Sequence, residues 1–100
     1  MQHKLIKITD VEIIDDYKVN VSFEDGLEKV IDLTPVLKGE LYGPLKNKDL
    51  FNQVRVNKEL HTIEWPNGAD FEPSLLYQWE SVKDDFIKMA SSWEVIEENK

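Results

Sequence analysis

The stretch Thr62-Ile63-Glu64-Trp65-Pro66-Asn67-Gly68-Ala69-Asp70-Phe71-Glu72-Pro73-Ser74-Leu75-Leu76-Tyr77 decides the fold. Its alternating start reads as the end of a strand, which Pro66 terminates because proline cannot donate to a ladder. Pro-Asn-Gly then supplies a tight turn, with Gly68 free to take a positive φ. A short extended piece follows, and Ser74 is placed to cap a helix. Upstream of this stretch the pattern is that of strands; downstream it is that of one long amphipathic helix. The fold class is therefore α+β, a small twisted antiparallel sheet with short helices and a C-terminal helix.

Working back toward the N-terminus, Leu5 to Ile14 is loosely alternating, and Asp15-Asp16 marks a hairpin turn. Tyr17, Val19, Val21 and Phe23 then share one face while Lys18, Asn20 and Ser22 meet water. Asp25-Gly26 is a second hairpin turn. Leu27 to Leu33 completes a three-strand meander, with Leu27, Lys29, Ile31 and Leu33 on one side. Thr34-Pro35 begins a short helix through Lys38, stopped by Gly39. Gly43-Pro44 breaks the chain again, and Asp49 to Asn52 forms one more helical turn. Val54 and Val56 lie on a short strand, and His61 to Trp65 pairs with it as a further hairpin. In that last strand His61, Ile63 and Trp65 face one way, Thr62 and Glu64 the other.

Beyond the turn, Leu75, Trp79, Val82, Phe86, Met89, Trp93 and Ile96 recur in an unbroken heptad pattern. Large apolar side chains are each worth roughly 1.5–3 kcal/mol when buried, so something covers this stripe. Either the helix packs on its own sheet, or it meets a partner's groove or a second copy of the chain. The residues expected at such a contact are Trp79, Phe86, Met89 and Trp93. The chain divides into an α+β unit over residues 1–77 and a helical extension of the same domain over residues 78–100.

Composition narrows function. One hundred residues suffice for an ordinary core, and there is no cysteine, so disulfides, thiolate nucleophiles and cysteine-ligated metals are excluded. A net charge of −8 with a single arginine is the reverse of a nucleic-acid binder's balance and would attract a basic partner. The patch Lys46, Lys48, Arg55 and Lys58 reads as solvated loop surface. His3 and His61 stand in no metal-binding spacing, no serine sits in a nucleophile elbow, and no glycine-rich phosphate loop exists. We expect no cofactor and no metal. The start lacks a signal peptide's apolar core and no run is apolar enough for a membrane span, so a soluble, cytoplasmic protein is expected.

Asp70 is the carboxylate of most interest. With Glu72 it could accept protons, bind a cation or grip a basic partner. An Asp after such a turn more commonly bonds local backbone N–H groups, and this structural role carries more weight.

Several of these residues together resemble a known family. Tyr17-x-Val19-x-Val21-x-Phe23-x-Asp25-Gly26, Ile31-Asp32-Leu33, Leu41, Leu45, Phe51, Val54, Ile63-x-Trp65-Pro66-Asn67-Gly68-Ala69-Asp70, Pro73 and Leu76-Tyr77 resemble the bacterial domain-of-unknown-function family 2442 over about residues 5–77. The resemblance implies a small α+β domain whose signature turn is framed by Trp65, Asn67, Gly68 and Asp70. It implies no established activity; some members are fused to a helix-turn-helix domain, and others are similar to the second partner of toxin–antitoxin-like gene pairs. This chain departs after Tyr77, where an acidic helix stands in place of any recognisable helix-turn-helix. The expectation is a non-catalytic protein-binding module, antitoxin-like, meeting a small basic protein or itself. The alternatives are a DNA-linked transcriptional regulator and an enzyme without a recognisable motif.

Overall fold

In the computed structural model, residues 6–98 are described, with the side chains of residues 94–98 excepted. Leu5, His3 and the side chain of Ile96 therefore lie outside the described residues. Three strands, β1 (Ile8–Asp15), β2 (Lys18–Phe23) and β3 (Glu28–Asp32), form an antiparallel sheet in the order β1-β2-β3. β4 (Arg55–Asn57) and β5 (Thr62–Glu64) form a separate antiparallel hairpin. Between them lie 3₁₀ turns at Thr34–Val36 and Gly43–Lys46 and the short helices α1 (Gly39–Tyr42) and α2 (Lys48–Phe51). The chain ends in α3 (Pro73–Tyr77) and α4 (Trp79–Glu98). This is the expected α+β architecture, a meander plus a further hairpin.

Period-two alternation fixes the sheet. Val19, Val21 and Phe23 of β2 and Ile31 of β3 are buried on its inner face, and Leu33 follows them into the core. Val21 faces Lys29 and Val19 faces Ile31 across the β2–β3 ladder. A one-residue slip would expose this whole set, so burial pins the register. At the second turn Asp25 Oδ1 accepts from Leu27 N–H at 3.0 Å, and Gly26 takes φ 96°.

Several local expectations are corrected. Tyr17 is a turn residue with φ 57°, not the first residue of β2, because Asp15 already pairs with Lys18 and leaves Asp16-Tyr17 as a two-residue loop. His61 likewise sits in a turn, with φ 59°, outside β5, and within β5 both Thr62 and Ile63 are buried. The Thr62 hydroxyl donates to the Phe71 carbonyl, which accounts for a buried polar side chain there. Gly39 opens α1 with φ 80° instead of closing the preceding turn. Thr34 is not a cap; its N–H is held by Asp32 Oδ1 at 3.0 Å.

The C-terminal helix is two helices. Pro73 takes the first helical position, so α3 starts before Ser74, and Ser74 makes no capping bond. Gln78, at φ −106° and ψ 26°, breaks the run, and its carbonyl accepts from Ser81 and Val82 N–H to start α4. The break lets Tyr77 stay edge-on to Phe23, at 5.0 Å, while α4 turns to run over Thr34–Val36 and α1.

Candidate protein-binding surface

The signature turn is a scaffold. Trp65 N–H donates to the Ala69 carbonyl at 2.9 Å and Gly68 N–H to the Trp65 carbonyl at 3.0 Å. Gly68 takes φ 94°, as the residue closing a three-residue hairpin loop must. Asn67 does the side-chain work: its Oδ1 accepts from Ala69 N–H at 3.1 Å, and its Nδ2 donates to the Leu41 carbonyl at 3.0 Å. Trp65 is buried, and its indole N–H donates to the Phe51 carbonyl at 2.9 Å. Asp70 contributes main chain rather than a turn-fixing carboxylate. It bridges to Glu64, and its carbonyl accepts the Tyr42 hydroxyl at 2.8 Å. Burial, and secondarily the exposed Asp70 carboxylate nearby, raise the Tyr42 pKa above its ordinary 10.0.

Tyr42, which sequence reasoning did not single out, joins this turn to the C-terminal helix. Its ring stacks on Phe71 at 4.9 Å and on Trp93 at 5.7 Å, and meets Phe86 edge-on at 6.3 Å. Its sequence context, a Gly-Pro break with no alternation around it, gives no periodic signal; only the tertiary fold brings the rings together.

The residues expected at a partner contact are placed unevenly. Trp79 and Phe86 lie in the protein's own core, and Trp93 is half-buried against Tyr42. Met89 is 52% exposed. Ala90 is fully buried instead. At about 100° per residue, Ala90 stands about 40° from Phe86 on the side that carries Trp79, and Met89 about 60° away on the other side. An arc centred on Trp79 and Phe86 thus takes in Ala90 and leaves Met89 outside. Leu41 is 43% exposed, on a groove of about 220 Å³ lined by Lys38, Gly39, Glu40, Leu41, Tyr42 and Trp93.

The basic patch does not act as one surface. Arg55 pairs with Glu64 at 2.9 Å and Lys48 with Asp16 at 3.1 Å. Hydrogen bonds from Asn57 and then Arg55 hold the Glu64 carboxyl below its ordinary 4.5. Among the described residues no group of three histidine or carboxylate side chains is placed to hold a metal, and no helix is long and apolar enough to cross a membrane.

The outer face of the three-stranded sheet is rich in exposed side chains. Register sets Asp10 opposite Ser22 and Glu12 opposite Asn20 on one side, and Glu28 opposite Ser22, Val30 opposite Asn20 and Asp32 opposite Lys18 on the other. Exposed carboxylates from Asp10, Glu12, Asp15, Glu28 and Asp32 thus surround the half-buried Lys18, which Asp15 and Asp32 face from the two sides. Val30, 58% exposed, and Ile14, 45% exposed, are the apolar residues of this face. Asn20 Nδ2 donates to Glu28 Oε1 at 3.0 Å, fixing one carboxylate across the strands.

No match to the chain was found among curated proteins or among solved structures. The profile of one family, described as "Protein of unknown function (DUF2442)", matches residues 8–81. The match runs from the first residue of β1 into the first turn of α4, and so takes in the meander, the signature turn and α3. With about three quarters of its length matched, the chain belongs to the family DUF2442.

Proposed function

We propose that the protein is a non-catalytic binding module, antitoxin-like in role, that presents the acidic outer face of its sheet to a small basic protein in the bacterial cytoplasm. One observation carries this reading: Asp10, Glu12, Asp15, Glu28 and Asp32 lie exposed around Lys18 on one face of the sheet. Among the described residues, Lys18 is the one opposing charge that the register places on that face. Concentrated like charge raises the encounter rate and selectivity for an opposite partner, and Ile14 on β1 and Val30 on β3 offer exposed apolar area on the two outer strands. The alternative of direct DNA contact is supported by nothing on this face, whose sign would repel phosphates. The helix stripe, spent largely on the protein's own core, leaves the sheet as the better docking surface.

The test is affinity capture from the native cell with three baits: the wild type, a face variant (Asp10→Asn, Glu12→Gln, Glu28→Gln, Asp32→Asn), and a control variant neutralised on α4 (Asp84→Asn, Asp85→Asn). A small basic protein retained by wild type and control and lost from the face variant supports the reading. Its equal retention by the face variant, or retention of no basic protein, overturns it.

A further inference from the structure

β3 is the outer strand of the sheet, and two bonds set the phase of its ladder. Phe23 N–H donates to the Leu27 carbonyl at 2.8 Å, and Leu33 N–H donates to the Tyr17 carbonyl at 2.9 Å. Hydrogen-bonded and non-hydrogen-bonded pairs alternate along an antiparallel ladder. Lys29 and Ile31 therefore exchange bonds with Val21 and Val19, and the N–H and C=O groups of Glu28, Val30 and Asp32 point away from β2. Among the described residues, no backbone or side-chain acceptor takes those three N–H donors. The opposite strand is less open, since Ile8 N–H of β1 donates to the His61 carbonyl at 2.9 Å. An edge with unpaired backbone groups is a template for another strand.

The same alternation turns the three side chains onto the acidic face, two exposed carboxylates flanking one exposed valine. We propose that β3 is a strand-addition site for an extended basic segment of a partner protein. Alternate residues of that segment would be basic, apolar and basic, set beside Glu28, Val30 and Asp32 or in the reverse order. This rests on the acidic-face reading and adds to it the mode of binding and the partner's sequence pattern. A second copy of the chain is disfavoured as occupant. Two β3 strands paired antiparallel about Val30 would set Glu28 of each opposite Asp32 of the other, and directly opposed like charges destabilise a sheet.

The test titrates the full chain with a nine-residue peptide in which Arg, Val and Arg occupy alternate positions between threonines, and with a control whose threonines are prolines. The first peptide is expected to slow amide exchange at Glu28, Val30 and Asp32. Val30→Pro is expected to weaken its binding at least about tenfold and Val30→Thr to leave it within about twofold, because proline removes an edge donor and no bond to β2. Should Val30→Pro fail to fold, the exchange pattern in the wild type decides. If both peptides bind alike, or slow no exchange at those three amides, and binding is lost in Glu28→Gln/Asp32→Asn, the contact is electrostatic alone; strand addition is overturned and the acidic-face reading stands. If neither peptide binds the wild type, both fall.

Discussion

Gly39 and Trp93 meet so closely that a Cβ placed on Gly39 would lie 3.0 Å from the Cβ of Trp93. Gly39 also holds φ 80°, a conformation that costs a residue with a Cβ about 1–3 kcal/mol. The fully buried Ala90 lies one helical turn before Trp93, on the helix that packs on α1. Close approach there is what lets Trp93 stack on Tyr42 and the helix cover the core.

Gly39→Ala is therefore expected to lower stability by about 1–3 kcal/mol and to shift Trp93 fluorescence toward that of exposed indole. Gly43 provides the control: its nearest neighbour to an added Cβ is 3.8 Å away, and its backbone is helical at φ −55°. Gly43→Ala should change stability by no more than about 1 kcal/mol, in the stabilising direction. Equal losses in the two variants, read by urea denaturation, would contradict the close-approach account.

Trp65 combines full burial with a directed hydrogen bond to the Phe51 carbonyl and ring contacts to Phe51 at 5.6 Å and Phe71 at 5.8 Å. Trp65→Ala should cost about 3–5 kcal/mol through the cavity it leaves. Trp65→Phe should cost less, on the order of 1–2 kcal/mol, since most packing survives and the Phe51 carbonyl keeps the N–H of Val54. An unchanged melting temperature in the alanine variant would mean that the ring is not core.

Acid stability should depend on Glu64. Its pKa is lowered in the folded state by Asn57 and Arg55, so its contribution is fully present above the ordinary carboxylate value of 4.5. That contribution is lost as the pH falls through the lowered, folded-state value. In Glu64→Gln the acid limb of the stability curve should be flatter below pH 4.5 than in the wild type. Identical acid limbs in thermal melts would remove Glu64 from the account.

At the other end of the scale, Tyr77 donates to Asp25 Oδ2 at 2.5 Å, and this bond raises its pKa above 10.0. The protonated phenol is the stabilised form, so the contribution is present below pH 10.0 and lost as the pH rises through the raised value. Tyr77→Phe should flatten the alkaline limb alone. Asp25→Ala should do so and also loosen the β2–β3 turn, which loses the Leu27 N–H acceptor; amide exchange at Leu27 separates the two.

Much of this was legible because burial imposes short periods on the chain. The Val19–Val21–Phe23 alternation, Asp25-Gly26 and the Pro-Asn-Gly turn are local, and local chemistry fixes them. The departures come from contacts between distant segments. Nothing near Gly39 announces Trp93, and nothing near Tyr42 announces Phe71 and Asp70. A heptad count puts Met89 on the stripe, but which side of Phe86 the helix buries is set by what it packs against, and here that side carries Ala90. The acidic sheet face was only half legible: Lys18, Asn20 and Ser22 could be set outward, but the carboxylates from β1 and β3 converge on them only once the register is known.

The central claim is that α4 belongs to the core, which leaves the sheet's acidic face as the surface offered to a partner. Sedimentation equilibrium on the full chain and on a chain ending at Tyr77, with circular dichroism on both, tests it most directly. The account predicts a folded monomer for the full chain and loss of folding in the truncation, because Trp79, Phe86 and Ala90 are removed from the buried set. A full-length dimer beside a folded, monomeric truncation would contradict it and return the helix stripe to the role of interface.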